Sequence, residues 1–371
     1  YKDMSKKIVF DFQLDGHNLE YIHHLYIGAV NDIDNEYIFA LPYEFIEESK
    51  VLQWPESSNI SFEYFNIQEI FMKSDIYTAL KSCKYLRDLL KRTNADELIL
   101  IWMMNVIPFL PFYMPRKVRV SGIIYRIYLY TWRYSSLRTK IENAIKYFIL
   151  SYSRCIYNVY ILNDIGSAKI LNRIWHTNKY KFLADPYVGF NFEDIKDVRH
   201  ELNIPKDNIV CLHPGAMSSR KGTMRIIEMI ENTSIEELST YTFIFAGCVG
   251  KDIKDDFYKR LSLLKEKAHI IVKDAFLPFE EIGSLVYTSD KILLPYNLVD
   301  MSSGSIAYAA QFGKPVYVPC TGLLSKLVKK YRIGKTVRDF SNIEYLKETI
   351  NINSNYCEDH TVNVFINQIL H

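Results

Sequence analysis

The sequence predicts an α/β protein made of two doubly wound, parallel sheets, and three observations predict it. Short apolar runs alternate with stretches of helical periodicity, the order that builds a parallel sheet covered on both faces. Two strand-to-helix turns, at 213–225 and 293–318, carry the Gly, Ser and basic residues that suit a helix start facing an anion. The length, 371 residues with 49% apolar side chains, supports two cores of about 180 residues each.

The first half opens on an apolar strand at 7–12, a helix at 18–31 and strands at 36–41 and 60–65. A helix at 75–93 leads to a strand at 97–104, and a long irregular region follows. A helix near 137–153, a strand at 156–162 and a helix at 166–175 complete this half. No internal repeat or low-complexity tract interrupts it, and Tyr1-Lys2-Asp3 before Met4 reads as an epitope-tag remnant.

In the second half the run NIVCLHPGA reads as a buried strand ending at Pro214 and Gly215. A Ser-rich loop follows, and Arg220-Lys221-Gly222 opens a helix with Met224, Ile227 and Ile230 on one face. Free N–H groups of a first helical turn, its positive dipole end and the Lys221 charge together suit an anion. The spacing is not that of the GxxxxGK[ST] nucleotide loop. About 80 residues on, Leu293–Tyr296 ends a short strand, and Ser302-Ser303-Gly304-Ser305 supplies N-cap candidates for a small-residue helix at 306–312. Gly313-Lys314-Pro315 stops that helix before a strand at 316–318. Two such helix starts at the carboxyl ends of a parallel sheet would face one diphosphate.

This ordered set resembles the nucleotide-binding domain of GT-B glycosyltransferases of the family 4 ("group 1") type. The set is RKG, YTFIFAGCVG, HIIVKDAFL, LLPY, SSGS, FGKPV and TGLLSKLVKKYRIGKTV. The first half is similar only through its opening strand and the turn DGHNLEY. The resemblance implies two Rossmann-like domains with a cleft between them. It places the boundary at FLADPY (182–187), hence domains 1–185 for the acceptor and 186–371 for the nucleotide sugar, with the last helix (357–371) packing back on the first.

It further assigns the donor diphosphate to Lys221 and Ser302–Ser305, and donor-sugar hydroxyls to Asp300; the turn and charge of the first motif add Gly215 and Arg220 as diphosphate candidates. The base falls near Phe276 and Leu277, and the turn Gly16, His17 and Asn18 faces sugar or acceptor, with His17 and Asp300 as the catalytic candidates. Two positions depart from the family. An arginine is expected where Gly215 or Ala216 stands, and a ribose-binding glutamate is replaced by Tyr308. The implied activity is retaining transfer from a nucleotide-diphosphate sugar to a glycan or lipid-linked acceptor in a bacterial surface polysaccharide pathway. A sugar-nucleotide epimerase of the same architecture and a non-catalytic nucleotide-binding subunit are the alternatives.

Charge adds a separate message. The chain carries only +2, which does not suggest nucleic acid as a partner. Yet residues 112–155 hold nine Lys or Arg, among them Arg126, Arg133, Arg138 and Lys140, against the one acid Glu142, with seven Tyr or Trp between them. Such a surface suits an anionic bilayer or a lipid-pyrophosphate acceptor, and a solvated basic helix is the alternative. The preceding apolar stretch, 98–114, is broken by Pro108 and Pro111 and makes a poor membrane span.

Six cysteines without CxxC spacing favour a reducing, cytoplasmic setting, on the inner face of the membrane if the basic segment docks there. Histidines 23 and 24 are adjacent and do not share a helix face. His213 ends the strand before RKG, where a satisfied structural role is the ordinary outcome. Asp32-Ile33-Asp34 matches a DxD metal pattern but falls between the first helix and the second strand, so a solvated turn is expected. No metal and no cofactor is expected.

Overall fold

A computed structural model describes residues 5–12, 17–52, 54–70 and 75–371. The chain forms two compact units, one of residues up to Pro186 together with Thr361–His371, the other of Tyr187–His360.

The first unit is built on strands β1 (Ser5–Phe10), β2 (Asn35–Pro42), β3 (Ile60–Phe65), β4 (Glu97–Leu100), β5 (Arg119–Ile124), β6 (Ile156–Leu162) and β7 (Tyr180–Leu183). They lie in the order β3-β2-β1-β4-β5-β6-β7, all parallel, so the winding reverses between β1 and β4. Ile8 stands opposite Ile38 on one side and Leu98 on the other. Near-continuous apolar strands are what a sheet covered on both faces requires. Tyr21, Ile22 and Leu25 of the helix His17–Asn31 pack with Phe39 and with Phe365 and Ile369 of the helix Val362–Leu370.

The second unit carries β8 (Ile209–Pro214), β9 (Tyr241–Ala246), β10 (His269–Lys273), β11 (Lys291–Leu293), β12 (Val316–Pro319) and β13 (Gly334–Val337). Their order is β10-β9-β8-β11-β12-β13, again all parallel, with the reversal between β8 and β11. The helix Thr223–Asn232 buries Ile227 and Ile230, with Met224 packed at the edge of the same core, against Phe243, Phe245 and Phe257. Both sheets are the doubly wound α/β type that the sequence predicts.

Several elements differ from the sequence reading. β5 lies inside the stretch read as irregular, because RVSGII is interrupted by Ser121 and Gly122; pairing with β4 and β6 makes it a strand, with a register shift at Val120–Ser121. β4 ends at Leu100, and a 3₁₀ turn at Met103–Asn105 replaces the end of the expected strand. The helix Phe45–Leu52 was not expected at all. The DxD turn is only partly solvated. Asp32 is buried and accepts hydrogen bonds from Tyr37 and Asn35. Burial alone would raise its pKa, but those bonds and the Lys7 charge carry it below the usual carboxylate value.

Candidate functional site

The two motifs meet at the carboxyl ends of β8 and β11, the strands between which the second sheet reverses its winding. Open α/β sheets bind ligands at that kind of crevice. Gly215 leaves β8 with φ +86°, and a Cβ there would stand 2.6 Å from Lys221 Nζ, so the ammonium lies over the Gly215 backbone. The same ammonium is 5.4 Å from the centroid of the Tyr296 ring, whose negative face attracts a cation.

Gly222, the N-cap of the helix Thr223–Asn232, has φ +69°, and a Cβ would meet Pro295 O at 2.0 Å. Arg225 Nη1 donates to that carbonyl at 3.2 Å. Asn297 N donates to Arg220 O at 3.0 Å, and its Nδ2 donates to Ser219 O at 2.6 Å. These contacts join the loop after β8 to the loop after β11. Any larger residue at 222 loses both the left-handed backbone and the close approach. We expect Gly222→Ala to lower the stability of this unit by at least about 1–3 kcal/mol, as strained backbone of this kind does. Urea unfolding that matches the parent would show that the junction yields more easily than its geometry implies.

Beneath the loop, His213 is buried and satisfied at both ring nitrogens. Nδ1 lies 2.8 Å from Leu293 O and Nε2 lies 3.0 Å from Thr223 Oγ1, which also accepts from Ser218 N at 3.0 Å. A carbonyl partner requires the proton on Nδ1, which leaves Nε2 to accept from the Thr223 hydroxyl. Burial pushes the His213 pKa down to about 4; the Leu293 carbonyl opposes the shift and the Lys221 charge adds to it. The imidazole is therefore neutral near pH 7 and serves as a bracket between β8, β11 and the helix start.

The SSGS segment reaches the same place. Tyr296 Oη shares a 2.9 Å hydrogen bond with Ser303 Oγ, so Ser303 is tied to the ring on which Lys221 rests. Ser302 and Gly304 are half-buried, Ser305 and Asp300 buried, and the helix that follows is short, Ser305–Gln311. Arg220 is exposed, with Nη1 3.7 Å from Met301 Sδ. Phe276 and Leu277 follow the edge strand β10, the former 93% exposed and the latter buried. Tyr308 joins an aromatic cluster, edge-on to Phe190 at 5.0 Å and to Phe279 at 5.9 Å.

Sequence reasoning missed four contributors: Arg225, Asn297, the cation-bearing ring of Tyr296, and Asp252. Asp252 accepts from Ser219 N at 2.8 Å and Ser219 Oγ at 2.6 Å, and so orders the Ser-rich loop from the far side. The LLPYN and RKGTMR runs contain the first three, but nothing in either run says that they face each other.

In the first unit the winding reversal lies beside Asn18, whose buried Nδ2 has no hydrogen-bond partner among the described residues. Gly16 and the side chain of His17 lie outside the described residues. A cleft of about 700 Å³ has Phe12, Thr78, Trp102, Asn105, Arg138 and Lys146 among its walls. Arg126, Arg133 and Arg138 are exposed, Arg138 pairs with Glu142 at 2.8 Å, and Lys140 lies 5.8 Å from the Trp132 ring centroid. Among the described residues no three His, Cys, Asp or Glu side chains are grouped to hold a metal ion, and no helix is long and apolar enough to cross a membrane.

No protein-family model matches the sequence, and a search of curated proteins finds no match. Solved structures match well. HepE of Anabaena, solved with UDP and glucose, is 17% identical with a TM-score of 0.64, covering 99% of this chain and 98% of HepE. A glycosyltransferase from Rickettsia africae is 12% identical with a TM-score of 0.62, covering 100% of this chain and 97% of its own. UDP-GlcNAc 2-epimerase from Methanocaldococcus jannaschii is 12% identical with a TM-score of 0.61, covering 99% of each chain. With two all-parallel sheets in which the winding reverses once each, and with these likenesses along its whole length, the chain has the GT-B fold.

Proposed function

We propose that the protein is a glycosyltransferase that takes a sugar from a nucleotide-diphosphate donor and passes it to a glycan or lipid-linked acceptor. Lys221 carries the reading: an ammonium held over Gly215 and the Tyr296 ring, at the reversal point of the second sheet. Transfer leaves negative charge on the departing diphosphate, and positive potential already in position lowers the cost of that charge. Arg220 adds a second cation, Ser302, Ser303 and Ser305 add hydroxyls, and Gly304 and Gly215 let phosphate approach the backbone. Asp300 would orient donor-sugar hydroxyls, while Phe276, Leu277 and Tyr308 would take the nucleoside. Gly16, His17 and Asn18 would meet the transferred sugar or the acceptor. HepE binds UDP and glucose on the same fold, which favours a uridine nucleotide as the first donor to test.

The reading includes retention of configuration, which the family resemblance implies, and independence from metal, because side-chain cations meet the diphosphate charge. We expect UDP binding and turnover to persist in excess EDTA; binding lost in chelator and restored by manganese would replace the lysine-based account with a metal-based one. It also includes a bacterial polysaccharide or glycolipid setting, with Arg126, Arg133, Arg138 and Lys140 against an anionic cytoplasmic membrane face.

The likeness to a 2-epimerase favours one alternative, interconversion of the free sugar nucleotide. Incubation with UDP-glucose and UDP-GlcNAc separates the readings. Slow release of UDP without acceptor supports a transferase, appearance of the 2-epimer supports the alternative, and nucleotide binding with neither product leaves a non-catalytic subunit.

A further inference from the structure

The helix Leu137–Tyr152 faces the wrong way for an ordinary surface helix. It buries Tyr147, Leu150 and Ser151, yet Leu137, Ile141, Ile145, Phe148 and Tyr152 are all exposed by half or more. These five recur at spacings of four, four, three and four residues, so they form one outward stripe along the helix. Tyr134 and Trp132, exposed just before the helix, extend the stripe at one end. Basic side chains border it: Arg133, Arg138, Lys140, Lys146 and Arg154, in a segment with nine Lys or Arg against one acid. A surface helix normally turns such residues inward, and contiguous exposed apolar area marks an interaction surface.

We infer that this helix is a membrane-docking element, lying in the plane of an anionic leaflet with the apolar stripe inserted and the basic residues at the phosphates. Predominantly basic charge around an apolar centre, its one acid Glu142 paired with Arg138, with Trp and Tyr at its end is the pattern of an interfacial helix, and it matches lipid phosphate. The helix has only 16 residues and carries Arg138, Lys140, Glu142 and Lys146, so it lies on a bilayer and does not cross it. Ile145, Arg138 and Lys146 also line the cleft of about 700 Å³. An acceptor anchored in that leaflet would present its anionic head group at the cleft mouth. That last point rests on the transferase reading; the docking does not.

The test uses the full chain with vesicles of neutral phosphatidylcholine and with 30% phosphatidylglycerol, at low and physiological salt. The parent is expected to bind the anionic vesicles and to keep part of that binding at the higher salt, where charge is screened. Leu137→Gln, Ile141→Gln and Phe148→Gln together should lower the partition coefficient more than tenfold, since burying one such side chain is worth about a decade or more. Arg126→Gln, Arg133→Gln, Arg138→Gln and Lys140→Gln together should lower it mainly at low salt. UDP binding, measured on the same variants, reports the fold of the other unit and tests the transferase reading separately. Absence of parent binding to anionic vesicles, or unchanged binding by the apolar variant, would overturn the inference. So would a parent dimer that the apolar variant dissolves, because the stripe would then be a contact between copies.

Discussion

Replacing Lys221 with Ala is expected to weaken UDP binding roughly 10- to 150-fold, the range that follows from losing one charge-assisted contact worth about 1.5–3 kcal/mol. The fold should survive. The main chain at Lys221 is held by Ser218, and the helix Thr223–Asn232 begins after it, so neither depends on the side chain. The ammonium rests on a backbone and a ring face, and its removal leaves no buried acceptor unpaired. Lys221→Arg should restore part of the affinity, since charge returns on a bulkier group. Calorimetry settles it, and unchanged UDP affinity in a folded Lys221→Ala protein would remove the site assignment.

Stability of the second unit should fall as the solution is acidified from pH 7, with His213 as a principal cause. The folded-state pKa is lowered to about 4, while an unfolded histidine titrates near about 6.5. Below pH 6.5 the unfolded chain therefore holds the extra proton, so stability is fully present above that value and is lost as pH falls toward 4. At pH 4.5 the loss amounts to about 2.5 kcal/mol for this one group. His360 is also buried and also lowered to about 4 by that burial, so the parent's slope will include it. Comparison with His213→Gln isolates the one residue. The parent should exceed the variant in urea stability at pH 7, and the gap should close by pH 4.5. A gap that stays constant with pH would mean that His213 is not buried neutral.

Much of this fold was legible in the chain. β8, β9 and β12 announce themselves as apolar runs ended by Gly or Pro, and Ile227 and Ile230 sit at the helical spacing that buries them. β5 and the helix Phe45–Leu52 were not legible, because their own residues carry little periodicity and neighbours decide their state. Asp32 shows the same limit in a side chain. A DxD turn looks solvated in sequence, and only the Tyr37 hydroxyl and the Asn35 amide arriving from β2 make Asp32 a buried acceptor.

At the candidate site the division is equally physical. RKG and SSGS could be named from composition, because Gly, Ser and Lys are the residue types that bring backbone and charge to an anion. Their meeting could not be named, since it depends on β11 lying beside β8, with the paired Cys211 and Lys291 80 positions apart in the chain. That pairing brings Pro295 against Gly222, the Tyr296 ring under Lys221, and Leu293 onto His213. The exposed stripe on the helix Leu137–Tyr152 belongs to the same class. Sequence shows a basic, aromatic, apolar helix, but which of its faces is buried depends on the surface it packs against. Local preference follows from each residue's own bonds and volume, whereas a contact between distant residues exists only once the sheet has set its strand order and register.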